Sequence, residues 1–324
     1  MIGISMNFLQ RLEFFPASFF GMIMGLCGLG IAMLTAIPNA GELILIKIYL
    51  GFVWVLAGLL FVIYGVKVIR YFSAVMAEMR HPIKMNFVPA LSISLLLLSV
   101  IFWKLNWPQA SLVFWSIGAI AHFALTYWVL YHWIHHDHFQ IEHSNPAWFI
   151  PIVGNIIVPI AGVHHVALDI NLLFFATGLV FWIVLKTILM NRIIFHALMP
   201  SRLIPTLFIF IAPPAVGFLS YLAINGGELD IFAKILYLFA AVMTLLMLVS
   251  VRKFLKLEFA LSWWAFTFPL AAMSIASFKY AELSGVGFYD IVGWIVMLLL
   301  SAMIVLFLLK TAQAARKGKI CVDH

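Results

Sequence analysis

Residues 266–273 read FTFPLAAM, a proline set inside an apolar run. The same device recurs at FFPASFFG (14–21), NFVPALSIS (86–94), WFIPIVGN (148–155) and FIAPPAVG (210–217). The copies lie roughly 55 to 75 residues apart, the range of a helical hairpin that crosses a membrane twice. The apolar stretches between them carry no such proline. They end in basic or aromatic clusters instead: YGVKVIRYF (64–72), LKTILMNR (185–192), VSVRKF (249–254) and FLLKTAQAARK (307–317). The fourth stretch ends differently, in YHWIHHDH (131–138). The chain thus predicts five copies of one unit, a proline-bearing helix followed by a plain one. A proline inside a spanning helix removes a donor, frees a carbonyl and kinks the axis. Lipid cannot satisfy that carbonyl, so such helices belong inside a bundle or beside water. Five of them, with kinks at Pro16, Pro89, Pro151, Pro213 and Pro269, predict a ring around a wet centre.

Composition sets the class. Mean hydropathy is +1.13, 65% of residues are hydrophobic and 10% are charged. A soluble domain of this length does not read that way, and the predicted fold class is an all-α polytopic membrane protein. Ten apolar segments lie near 16–37, 44–70, 86–106, 109–131, 147–165, 170–190, 203–224, 230–250, 257–278 and 286–310. Ten spans of about twenty residues use up the chain. One transmembrane domain over residues 1–324 is expected, with short tails at 1–13 and 312–324, and the first segment is expected to be a retained span.

Orientation follows from Lys and Arg. Arg11, the basic groups around residues 67–84 (Lys67, Arg70, Arg80, Lys84), 186–202 (Lys186, Arg192, Arg202) and 252–256 (Arg252, Lys253, Lys256), and the tail from Lys310 to Lys319 fall on one side by parity. The other side has only Lys47, Lys104, Lys234 and Lys279. Both termini are therefore expected in the cytoplasm, with the protein in the cell inner (plasma) membrane. The net charge of +7 reflects this bias, and no nucleic-acid partner is expected. The partner that this composition and charge bias give is the lipid bilayer.

The central part of each span lacks Asp and Glu. Proton-coupled carriers usually hold an intramembrane carboxylate, because the coupled proton needs a titrating site. The proline-bearing helices offer only mild polarity, including Ser92 and Asn155. A pathway lined by hydroxyls, amides and apolar groups binds ions weakly, which suits fast permeation. Without carboxylates, and in a basic protein, it should prefer anions, so small inorganic or organic anions are the expected partners. Gly21, Gly25 and Gly28 recur at three- and four-residue intervals and predict close helix packing.

The run YHWIHHDHFQIEH places His132, His135, His136, His138 and His143 close together. Imidazoles at such spacing can bind a transition metal, and an HxxHH box is also used by di-iron membrane enzymes. That chemistry needs several boxes on one membrane face, whereas His164 and His165 fall on the opposite side by parity. A histidine-box metalloenzyme stays a remote alternative. The expectation is no enzyme, no catalytic residue, no metal and no cofactor.

The segments FTFPLAAMSIASFKYAE (266–282), NPAWFIPIVGNIIVPIAG (145–162) and FFPASFFGMIMGLCGLG (14–30) give the chain a resemblance to the tellurite-resistance/dicarboxylate transporter (slow anion channel) family. The likeness runs from about residue 8 to 312. It implies ten spans as five hairpins, a central pore formed by the odd-numbered helices, and a homotrimer with one pore per subunit. It also implies a phenylalanine gate immediately before the proline of the ninth span, which falls on Phe268; Phe19 is a weaker candidate for a second pore aromatic. The function implied is an anion channel or channel-like anion transporter. A proton-coupled C4-dicarboxylate (malate) transporter of the same fold is the alternative, with His122 the one deep group able to stand in for a carboxylate.

Overall fold

The computed structural model describes residues 8–136, 139–318 and 320–321. Among them every regular element is helical. Among the described residues nine helices are long and apolar enough to cross a membrane, and a shorter apolar one stands in the fifth place. In chain order they are α1 (Ala17–Ala36), α2 (Ile44–Arg70), α3 (Lys84–Lys104), α4 (Pro108–His135), α5 (Pro146–Gly162), α6 (Leu168–Phe195), α7 (Ile204–Ile224), α8 (Ile231–Val249), α9 (Leu261–Ser284) and α10 (Gly287–Arg316). The chain is an all-α polytopic membrane protein.

The helices sort into two shells. Of the most apolar window, 72–89% of residues are buried in α1, α3, α7 and α9, against 28–33% in α2, α4, α6, α8 and α10. The inner helices touch one another in the order α1, α3, α5, α7, α9 and back to α1, and each packs on the even helix that follows it. The even helices turn Leu45, Val55, Val62, Ile120, Ile295 and Val305 outward, the apolar surface that hydrocarbon requires.

The prolines do something more specific than kink a continuous helix. In α7 and α9 the span opens as a 3-10 segment, Ile204–Ile211 and Leu261–Phe266, and becomes α-helical at Ala212 and Thr267. Pro213 and Pro269 therefore sit in the first turn of the α part, where the missing N–H has no partner to lose. Pro89 stands likewise between the 3-10 turn Lys84–Phe87 and the helix from Ala90, and Pro16 precedes the turn Ala17–Phe19. Pro151, in the fifth span, is likewise the third residue of an α segment, Phe149–Val153, which directly follows the 3-10 turn Pro146–Trp148.

That fifth span is the departure from uniform length. It runs 3-10 (Pro146–Trp148), α (Phe149–Val153), 3-10 (Gly154–Ile157) and α again (Val158–Gly162). An α-helix of its length reaches roughly 26 Å, short of the ~30 Å hydrocarbon core. Side chains of α4 satisfy its backbone: Thr126 Oγ1 donates to the Pro151 carbonyl at 2.7 Å and Trp115 Nε1 to the Val158 carbonyl at 2.9 Å. A neighbouring helix thus replaces the bonds that an unbroken helix would have made for itself.

Close packing needs the glycines. A Cβ on Gly28 would stand 2.5 Å from the Ala271 Cβ, and one on Gly25 would run into the Thr267 side chain, so α1 and α9 meet nearly backbone to backbone. The turn after α9 passes through Gly285 at φ 70°, a left-handed helix end that glycine adopts without strain.

The candidate ion pathway

The inner ring encloses two cavities in line. The narrow one, ≈ 80 Å³, lies toward the N-terminal ends of the odd helices and is walled by Ser18, Phe87, Phe149, Ile209, Ser262 and others of all five odd helices. The wide one, ≈ 290 Å³, lies toward their C-terminal ends and again takes lining from all five, among them Ile31, Leu97, Ile160, Leu222 and Ile275. Phe268, Ile157 and Val216 belong to the walls of both. The boundary between the two is therefore apolar.

Phe268 is held differently from the aromatic residues near it. Trp264 and Phe266 are buried, with Phe266 against Phe208 at 4.4 Å and Trp264 Nε1 donating to Thr311 Oγ1 at 3.1 Å. Phe268 is only half-buried although it lies deep in the molecule. Among the described residues no ring contact holds it. Its ring lies over α1, with Cδ2 3.7 Å from the place a Cβ of Gly28 would occupy. Local structure explains the position: it is the second residue of the α part of α9, one before Pro269.

The walls carry little charge. Among the described residues no Asp, Glu or His lines either cavity, and the charged lining consists of Lys104 and Lys279 in the wide one. In the narrow cavity the Ser262 hydroxyl has no partner among the described residues.

The other residues named from the sequence fall unevenly. Pro213 and Pro269 are on the narrow cavity's wall. Pro16, Phe19, Pro89, Ser92, Pro151 and Asn155 lie on neither wall. Phe19 is buried, stacked on Phe15 at 4.6 Å. Ser92 Oγ donates to the Pro89 carbonyl at 2.8 Å and pairs with His122 Nδ1 at 2.9 Å. Asn155 Nδ2 donates to Thr126 Oγ1 at 2.9 Å. Both side chains thus face α4 behind the ring. A helical period places a serine on a helix but does not say which neighbour it meets.

The histidines form no metal-centre geometry among the described residues: no group of three or more His, Cys, Asp and Glu converges there. His132 Nδ1 pairs with the Trp128 carbonyl at 2.8 Å and His135 Nδ1 with that of Tyr131 at 2.9 Å, each one helical turn back. His138 lies outside the described residues.

Sequence reasoning did not find the charge network at the start of α1. Lys67 and Glu78 form a buried ion pair at 2.8 Å. Lys67 Nζ also donates to the Phe15 carbonyl, and Glu78 Oε1 accepts from the Ala17 N–H, both at 2.8 Å. The two residues stand on different elements, α2 and the helix Phe72–Arg80, so no periodic signal links them.

Comparison with known proteins gives one answer. A tellurite resistance protein TehA homolog of Haemophilus influenzae is 27% identical over 94% of this chain and 92% of its own length. An uncharacterized transporter of Methanocaldococcus jannaschii is 27% identical over 79% of this chain and 81% of its own. An S-type anion channel of Arabidopsis thaliana is 28% identical over 82% of this chain and 43% of its own. The resemblance read from the ninth span is borne out. The family model described as voltage-dependent anion channel matches residues 14–312, and the chain belongs to that family of channels and transporters.

Proposed function

We propose that this protein is an anion channel of the cell inner membrane, closed at rest by the ring of Phe268. Residues 1–324 act as a single transmembrane domain of ten spans, with α5 counted as a full crossing despite its length. Both termini face the cytoplasm. The odd helices form the pore, and three copies assemble with a pore in each, the even helices meeting lipid or a neighbouring copy.

One observation carries the reading: Phe268 belongs to the walls of both cavities. A ring across a narrow apolar neck removes the path for a hydrated ion, and such a neck resists wetting. The half-buried side chain, free of ring partners among the described residues, has space on either side into which to turn. The anion preference is supported by walls that hold lysine and no carboxylate among the described residues. The coupled C4-dicarboxylate reading has less support, because a proton site on the pathway is what it needs. His122 sits behind the ring, against Ser92.

The test is current recording in planar bilayers for the parent and Phe268→Ala, with chloride, nitrate and malate exchanged in turn. A large anion-selective current in the variant and little in the parent is expected. A folded variant that stays as closed as the parent removes the gate from the proposal.

A further inference from the structure

The face onto which the wide cavity opens carries six acids, Glu42, Asp169, Glu228, Asp230, Glu282 and Asp290, and four lysines, Lys47, Lys104, Lys234 and Lys279. Its balance is acidic. The cavity inverts that balance: two of the four lysines, Lys104 and Lys279, line it, and none of the six acids does. They arrive from different helices, Lys104 at the end of α3 and Lys279 in the last turns of α9. Lys279 is tethered to Glu282 at 2.7 Å, both side chains being partly exposed. Lys104 has no ion pair among the described residues. Among the described residues the rest of the wall is apolar apart from Thr35.

We infer that Lys104 and Lys279 form an anion-capture site at the open end of the wide cavity, taking small anions such as chloride by charge and not by shape. The inference rests on the proposed pore, since it makes the cavity the anteroom to Phe268. A mouth with cationic groups in an otherwise acidic face raises the local anion concentration where permeation begins and leaves neighbouring surface unattractive. Lysine suits such a mouth, because an ammonium is a compact point charge that does not impose the two-pronged geometry of a guanidinium. Glu282 tempers the site, holding Lys279 in place and cancelling part of its field.

The site matters at low ionic strength, where the screening length is about 30 Å, and fades near 1 M salt, where it is about 3 Å. Neutralising a lysine and neutralising Glu282 act in opposite directions. Lys234, on the same face but off the cavity wall, has little effect.

The experiment measures chloride conductance of Lys104→Gln, Lys279→Gln, Glu282→Gln and Lys234→Gln in the Phe268→Ala background, at about 10 mM and about 1 M salt, the two ends of that screening range. A unit charge acting across about 8 Å of water changes local ion concentration about twofold. At the low concentration each lysine variant is expected to lose about half of its conductance and Glu282→Gln to gain. At the high concentration all four should match. Unchanged conductance at low salt, or an equal loss at both concentrations, overturns the site while leaving the pore intact. A second arm does not need current. Detergent-solubilised parent protein is heated in chloride and in gluconate at constant ionic strength, and bound chloride raises the unfolding temperature by mass action. The chloride concentration for half of that rise should increase in Lys104→Gln and Lys279→Gln and not in Lys234→Gln. If Phe268→Ala carries no current, the pore reading fails and this arm alone decides the site. No chloride-dependent rise in the parent, or equal half-rises in the variants, overturns it.

Discussion

Lys67 Nζ stands 2.8 Å from Glu78 Oε2, and the two side chains are almost wholly withdrawn from solvent. The pair reaches the residues on both sides of Pro16: Lys67 binds the Phe15 carbonyl and Glu78 the Ala17 N–H. The first proline junction, which has no preceding 3-10 segment to anchor it, is thus held by charge. Ser18, one residue further, lies on the narrow cavity's wall.

Removing one partner of this pair should be costly. Glu78→Ala leaves a buried ammonium and an unpaired Ala17 N–H, a loss of about 3–5 kcal/mol for a buried pair broken on one side. Lys67→Met with Glu78→Leu removes both charges and should cost clearly less. Unfolding temperatures of the single and double variants in detergent check this. A double variant less stable than Glu78→Ala shows that the charges themselves hold the junction.

The contact of α1 with α9 makes a second prediction. Gly28→Val places carbon where the Ala271 Cβ already lies 2.5 Å away. Two backbones must separate, at about 1–3 kcal/mol for overpacking. Gly58→Val on α2, where a Cβ meets nothing within 4 Å, should be tolerated. Equal unfolding temperatures for the two variants count against close packing between α1 and α9.

These two sites mark what the sequence discloses. The glycine stripe is legible because close packing repeats with the helix, as do the prolines and the alternation of buried and lipid-facing spans. The Lys67–Glu78 pair is not, because its partners lie on separate helices and meet only after folding. Nor is the direction of Ser92 and Asn155. Both sit on inner helices, yet the broken backbone of α5 and the His122 imidazole draw them toward α4. The prolines are legible as positions, but their role as the first turn of an α segment depends on the 3-10 stretches before them. Lys104 and Lys279 are separated widely in sequence, and only the closed ring brings them to one cavity.

Acid should weaken the face near the wide cavity. His165 lies between α5 and α6, with Nε2 2.8 Å from Ser111 Oγ. Burial, and then the charge of neighbouring His164, lowers its pKa below the ordinary 6.5. The unfolded chain therefore binds the proton more readily than the folded one between that lowered value and 6.5. Stability from this group is whole above about pH 6.5 and is lost as pH falls below it toward the folded value. His165→Gln should flatten that part of the pH profile of the unfolding temperature. A variant that keeps the parent's acid slope assigns the slope to other groups.

Separating the gate from the scaffold behind it is the most discriminating prediction. Phe268, Ser92 and Asn155 all lie on inner helices, and a pathway defined only by inner-helix polarity would make all three govern conduction. The cavities divide them: Phe268 is on both walls, Ser92 and Asn155 on neither. Reducing the ring in steps, Phe268→Leu and then Phe268→Ala, should raise anion current in the same order, because each step widens the neck. Ser92→Ala, made in the Phe268→Ala background, removes the partner of the buried His122 Nδ1. It should cost about 1–3 kcal/mol of stability and change conductance less than about twofold, because an unmoved barrier leaves the rate within that range. Asn155→Ala should behave the same way through Thr126. Paired measurements of unfolding temperature and single-channel current decide it: stability and current should vary independently. If Ser92→Ala instead abolishes the current of a folded Phe268→Ala protein, the ions pass along the α3–α4 side of the ring and the neck at Phe268 is not their route.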